Sequence, residues 1–416
     1  MIITFFPGFK WRPQLKLVQL ASVENPFVLT CGSCLTDVTV AYETYGKLSG
    51  AGDNAILVAH ALTGDTHAAT HDQYDEQGWW EPLIGSGRPL DTDRFFVICA
   101  NVLGGCQGTT GPASLDPTTG KPYGMNFPEI TINDIVRVQK RLVDILGIRR
   151  LAMVVGGSMG GMQALEWAVH YPGFIEAAVV IAAPGYSAPQ AIAYNRVGRQ
   201  AIMLDPDWKN GDYYGGAGPE KGLAAARALG MITYQSEMSM AYKFGRRTRK
   251  GQFEVENYLD YQGARIVKRF DANSYLYLLR ALDLFDVSAG YESYEAALSR
   301  IDAQVLVVGV SSDILYPPHQ QQELVETMRR VGVRTDYTVI DSPHGHDGFL
   351  IDFHLLRPIL VKFINKALPV PSALPLRQWI RFRASNLAYL GARLVTEIQY
   401  KPAIIDIPHQ DSLFSR

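Results

Sequence analysis

The sequence predicts an α/β fold in which a mostly parallel sheet is covered by helices on both faces. Three observations carry that expectation. Short β-branched or aromatic runs alternate with helix-period segments. The strongest runs are apolar almost without interruption, as strands buried on both faces are. And "VVGGSMGGMQALEW" (154–167) joins one such run to a helix through a serine flanked by four glycines.

The elements follow in order. "VTVAYETYG" (38–46), "NAILVAHA" (54–61) and "RFFVICAN" (94–101) read as strands closed by turn residues. "INDIVRVQKRLVDILGI" (132 onward) has helical spacing, with Asn133 or Asp134 as candidate cap and Gly147 as a stop. "RLAMVVGGS" (150–158), "AAVVIAAP" (177–184), "AQVLVVGVSSD" (303–313) and "TDYTVID" (335–341) add four strands. From 187 to about 300 the character changes: several helical patterns appear, with no run resembling a central strand. The expected organisation is a sheet domain over 1–186 and 301–368, a helical lid inserted over 187–300, and an extension over 369–416. In that extension "RQWIRFRASNLAYLGARLVTEIQY" reads as a basic amphipathic helix.

Composition narrows the partners. With 39 basic and 41 acidic side chains in 416 residues, a net charge of -2 offers no field for nucleic acid or an anionic membrane. No apolar run approaches the ~20 residues that span a bilayer. The start "MIITFFPGFKWRP" shows no charged leader or cleavage site, so a cytoplasmic protein is expected. Cys31 and Cys34 fall in "VLTCGSCLTD", where Gly32 and Ser33 suggest a hairpin turn. Without a second pair, no zinc site is expected there, nor a metal elsewhere.

Strand, sharp turn and helix is the context that gives Gly156-Gly157-Ser158-Met159-Gly160 meaning. Such a turn strains the serine backbone, exposes its hydroxyl at the carboxyl edge of the sheet, and lays a helix N-terminus behind it. A serine needs a base, and on this architecture the acid and the histidine follow it in the chain. Asp313 ends one strand in "SSDILYPP", and His346 follows the next in "DSPHGHDGFL", with His344 as the rival base. His60, His67 and His71 precede the serine and break that order; His170 reads as structural.

These segments belong to longer strings: "AYETYG", "HALTGDTH", "GWWEPLIGSGRPLDTDRFFVICANVLGGCQGTTGP", "GGSMGGMQALEW", "GLAAARALGMITYQS" and "GHDGFLID". From about residue 24 to 368 the chain resembles the homoserine O-acetyltransferase family of the α/β-hydrolase fold. The resemblance implies acetyl transfer from acetyl-CoA to the hydroxyl of L-homoserine, an entry step of methionine synthesis. It makes Ser158 the nucleophile, His346 the general base and Asp313 its orienting carboxylate. It further implies an oxyanion hole from the Leu62 and Met159 N–H groups, Arg227 on the substrate carboxylate and Asp347 on its ammonium. Acetyl-CoA would enter as co-substrate, with no permanently bound cofactor, and the partner protein would be a second copy docked through the lid.

Two neighbouring chemistries remain open in the sequence. Relatives using succinyl-CoA tend to carry an arginine near the triad aspartate, where this chain has Ile314, Leu315 and Tyr316; the difference favours an acetyl donor. Serine-acylating relatives share most of the strings, and a serine hydrolase would use the same triad without the Arg227–Asp347 clamp.

Overall fold

Strand and helix alternate through the computed structural model, which describes residues 8–369. Eight strands form one sheet: β1 (Lys16–Ala21), β2 (Val38–Tyr45), β3 (Ala55–Ala59), β4 (Phe96–Ala100), β5 (Leu151–Gly157), β6 (Ile175–Ile181), β7 (Gln304–Val310) and β8 (Thr335–Ile340). Their spatial order is β1-β2-β4-β3-β5-β6-β7-β8. β1 and β2 add antiparallel at one edge, and every pairing from β4 to β8 is parallel. Parallel strands share one carboxyl edge, so the loops leaving β3, β5, β7 and β8 converge there.

The helices are α1 (Ile132–Ile145), α2 (Met159–His170), α3 (Pro189–Met203), α4 (Glu220–Tyr234), α5 (Glu237–Phe244), α6 (Glu254–Arg269), α7 (Ala272–Asp283), α8 (Tyr294–Leu298), α9 (Pro318–Arg330), α10 (Gly348–Ile351) and α11 (Phe353–Ala367). α3 to α8 all lie between β6 and β7, accompanied by a short hairpin of Thr248–Arg249 with Gln252–Phe253. Alternate residues of β5 explain the two-sided burial. Val154 packs with α1 and α2 side chains such as Ile135 and Leu165, whereas Val155 packs with α11 side chains such as Leu356 and Leu360. Both faces are therefore apolar, which is why these strands read as unbroken runs rather than alternating ones.

The cap of α1 differs from the sequence expectation. Thr131 is the N-cap, with its Oγ1 accepting the Asp134 N–H at 3.2 Å, and Asp134 returns the bond by accepting the Thr131 N–H at 3.0 Å. Asp134 is thus the third helical residue of a capping box, a role that suits an acid as well as the cap does. Its second oxygen accepts the Thr30 N–H at 2.8 Å. That bond ties α1 to the Cys31–Cys34 hairpin, whose turn has Gly32 at φ 86°. Both of these cysteines are free and exposed. No helix among the described residues is long and apolar enough to cross a membrane. The amphipathic helix expected beyond 369 lies outside the described residues.

Candidate active site

Ser158 stands at the β5–α2 turn with φ 57° and ψ -124°, a conformation that side chains rarely adopt. The surrounding glycines are sterically required. A Cβ on Gly160 would lie 2.1 Å from the Ala59 carbonyl oxygen, and one on Gly157 would lie 2.3 Å from the Phe349 ring. The first contact lets α2 cross close to β3; the second lets the ring beside His346 reach the turn. Met159 is the first residue of α2, so its N–H has no acceptor within its own helix.

Asp313 follows β7 and is locked by backbone. Its Oδ1 accepts the N–H groups of Leu315 and Tyr316 at 2.8 and 2.9 Å, leaving Oδ2 to receive His346 Nδ1 at 2.7 Å. His346 follows β8 and is 3% exposed, between Tyr316 and Phe349, which meet its ring edge-on. Its Nε2 is buried with no hydrogen-bond partner among the described residues, and His346 lines the same cavity as Ser158. Burial works against the imidazolium, but the charge and hydrogen bond of Asp313, aided by Asp347, outweigh it and raise the His346 pKa above the usual value. The rival His344 is bonded instead to Asp352 through Nδ1 at 2.8 Å.

Around that cavity stand Leu62, Arg227, Tyr234, Arg269 and Asp347 as well as Ser158 and His346. Arg227, on α4, holds its guanidinium over the Tyr234 ring at 5.6 Å. Asp347 is buried, and burial raises its carboxyl pKa against the pull of His346, Arg227, Lys243 and a Gln235 hydrogen bond. A cation and a carboxylate lining one cavity can hold the two ends of a zwitterion. Ser158 also lines a second cavity, which is bordered by Leu62, Tyr194, Tyr275, Leu279, Leu315 and Tyr316 and includes no charged side chain. Of the three apolar residues after Asp313, Leu315 and Tyr316 border this cavity and Ile314 is exposed. Tyr234, Gln235 and Arg269 were not singled out from sequence. They lie on α4 and α6 or at their ends, and nothing local marks them; only packing brings them to the strand ends.

Leu62 is carried by the loop after β3, and His60 secures that loop. Its buried ring donates from Nδ1 to the Ala61 carbonyl at 2.8 Å and accepts the Val102 N–H at Nε2, 3.2 Å away; burial lowers its pKa, keeping it neutral. Farther along, Glu43, His67 and His71 bring residue types seen in zinc sites within 4.8 Å of one another. Their atoms are already engaged. Glu43 Oε2 lies 2.9 Å from both His67 Nδ1 and His71 Nε2, and Oε1 accepts from Thr66. His67 Nε2 meets the Glu76 carbonyl at 2.7 Å, so both of its ring nitrogens face oxygen acceptors, the pattern of an imidazolium. Burial opposes that charge, yet Glu43 and the Glu76 carbonyl raise the His67 pKa; against its own burial, Glu43 is held well below the carboxylate range by the bonds from His67, His71 and Thr66. The cluster is a buried ion pair that anchors the loop bordering the cavity.

The fold and much of the sequence are shared with known proteins. The alpha/beta hydrolase fold profile matches residues 54–353. The chain is 52% identical over 366 residues to homoserine O-acetyltransferase of Symbiobacterium thermophilum, covering 85% of this chain and 95% of that one. The crystal structure of homoserine O-acetyltransferase from Bacillus anthracis superposes with a TM-score of 0.79 at 32% identity, covering 85% of this chain and 98% of that one. Esterase E22 is similar as well, with a TM-score of 0.78 at 31% identity over 84% of this chain and 99% of its own.

Proposed function

The chain belongs to the homoserine O-acetyltransferase family of the α/β-hydrolase fold, and on that premise we propose that it moves an acetyl group from acetyl-CoA to the hydroxyl of L-homoserine. The observation that carries the reading is the shared cavity: Ser158 and His346 open onto the same space as Arg227 and Asp347.

The reaction runs in two halves. His346 Nε2 takes the Ser158 proton while Oγ bonds to the thioester carbonyl carbon. The oxyanion is received by the Leu62 and Met159 N–H groups, strengthened by the α2 dipole. Collapse breaks the C–S bond, His346 returns its proton to the departing thiolate, and acetyl-Ser158 remains. Homoserine then enters with its carboxylate on Arg227 and its ammonium on Asp347. His346 accepts the proton of its hydroxyl, the oxygen attacks the acetyl carbon, and collapse releases O-acetylhomoserine as Ser158 Oγ recovers the proton. Asp313 keeps the imidazole oriented and stabilises its charged form throughout. Ping-pong kinetics follow.

The uncharged cavity bordered by Leu315 and Tyr316 suits an acetyl methyl group and offers no cation to a second carboxylate, so succinyl-CoA is the poorer donor. Exposed Val197, Leu204, Met238 and Tyr242 on or beside α3 and α5 supply apolar surface for a homodimer through the inserted helices. A cytoplasmic location belongs to the same proposal and is supported by the biosynthetic family to which the chain belongs.

The likeness to esterase E22 favours one second reading, hydrolysis by the same three residues. Purified enzyme supplied with acetyl-CoA and offered homoserine, serine or water separates the two. The transferase reading requires thiol release to depend on homoserine, with one O-acetylhomoserine formed per thiol. Acetate released at the same rate without acceptor would establish the hydrolase.

A further inference from the structure

Asp347 neighbours the base in the chain, so its carboxylate needs a fixed orientation to meet an incoming ammonium rather than the imidazole beside it. One oxygen is held: Asp347 Oδ2 accepts from Gln235 Nε2 at 3.2 Å. The other end of that amide is held too. Gln235 Oε1 accepts from Ser239 Oγ at 2.7 Å and from Lys243 Nζ at 2.8 Å. Lysine can only donate, so the amide oxygen must face Lys243 and the NH₂ group must face Asp347. Asp347 Oδ1 carries no hydrogen bond among the described residues.

The joint between α4 and α5 is seated directly on the turn carrying the base. Gln235 follows α4, Ser236 caps α5, and the Ser236 hydroxyl donates to the Pro343 carbonyl. Gly345, at φ 69°, lets the two segments touch, since a Cβ there would lie 2.6 Å from the Ser236 nitrogen. Gln235 is buried, and its neutral amide can orient a carboxylate without neutralising it.

We propose that Gln235, braced by Ser239 and Lys243, is a positioning residue for the acceptor half-reaction: it fixes Asp347 Oδ2 and so presents Oδ1 to the ammonium of an α-amino acid. This rests on the reading of Asp347 given above. The charged and titratable groups facing Asp347 are His346 on its own turn, Arg227 and Tyr234 on α4, Lys243 on α5 and Tyr258 on α6. The Gln235 bond favours the ionised carboxylate, so its loss moves the Asp347 titration to higher pH.

The test uses the full-length enzyme and the Gln235→Leu variant. Acetylation of Ser158, read as a single-turnover burst of thiol, should be unchanged. The kcat/KM for homoserine should fall roughly ten- to a hundredfold, the range for a hydrogen bond to a charged group. Lys243→Met, which leaves the amide in place but unbraced, should lower the same constant roughly two- to tenfold; it serves as the probe if Gln235→Leu does not fold. Equal losses in both half-reactions, or no loss in the homoserine constant, would overturn the proposal in favour of a structural role. Asp347→Asn distinguishes the two levels. If it leaves homoserine kcat/KM intact, the reading of Asp347 itself fails. If it impairs transfer while Gln235→Leu leaves homoserine kcat/KM in place, only the positioning role is lost.

Discussion

The cavity has two walls, and they are held in different ways. Ser158, Asp313 and His346 sit on turns that leave β5, β7 and β8. Backbone bonds set them: two N–H groups aim Asp313, and the glycine crossings aim Ser158. Arg227, Tyr234 and Gln235 stand on the opposite wall, on or just after α4, in the insertion between β6 and β7. Side chains hold that wall, through the Gln235–Ser239–Lys243 network and the packing of α4 against α3 and α6. The difference teaches a division of labour. On the proposed reading, a sheet edge supplies the fixed positions that bond-making requires, while an inserted helix supplies recognition that can change without disturbing the chemistry.

Three measurements would break or sharpen that division. The largest effect belongs to the sheet wall. Ser158→Ala should remove thiol release altogether, a loss of about 10⁶-fold for a triad serine, with the thermal transition close to that of the parent. Retention of more than about a thousandth of the rate would place the nucleophile elsewhere.

Arg227→Ala probes the helical wall and should separate the two half-reactions. The thiol burst should survive, whereas kcat/KM for homoserine falls by the ~2–5 kcal/mol that losing one partner of a buried charged pair costs. Equal loss in both halves would erase the division, because Arg227 would then serve the donor or the fold.

The smallest effect concerns protons. His346 must be neutral to act as a base, and Asp313 raises its pKa. Acetylation should therefore rise with pH through a midpoint above ~6.5, the ordinary histidine value, and level off beyond it. Pre-steady-state thiol release against pH measures this limb. A midpoint at or below that value would mean that burial, not Asp313, governs the ring.

Much of the sheet wall was legible in the sequence because its determinants are local. Gly-x-Ser-x-Gly between a strand and a helix describes the elbow, and the placement of Asp313 and His346 at successive strand ends follows from chain order. The helical wall was legible only through resemblance: Arg227 and Asp347 took their roles from it, whereas Gln235 lies inside the matching string 222–236 and received no role. The α1 cap shows the same limit at smaller scale. Thr131 and Asp134 share one hydrogen-bonded box, and the sequence reading offered Asn133 or Asp134 as the cap where Thr131 holds that place. His67, set aside because it precedes the serine, proved to be half of a buried ion pair.

The sequence by itself determined the elements, the elbow and the order of the three residues, because hydrophobic period, glycine sterics and strand–helix alternation act over a few neighbouring residues. Tertiary structure decided which side chains meet across the cavity. Gln235 reaches Asp347 over 112 residues, and Glu43 reaches His67 over 24. Such contacts depend on how α4 seats against the turn after β8 and how the loop after β3 folds back on β2. No local rule encodes that seating, because it is set by the packing of side chains distant in the chain.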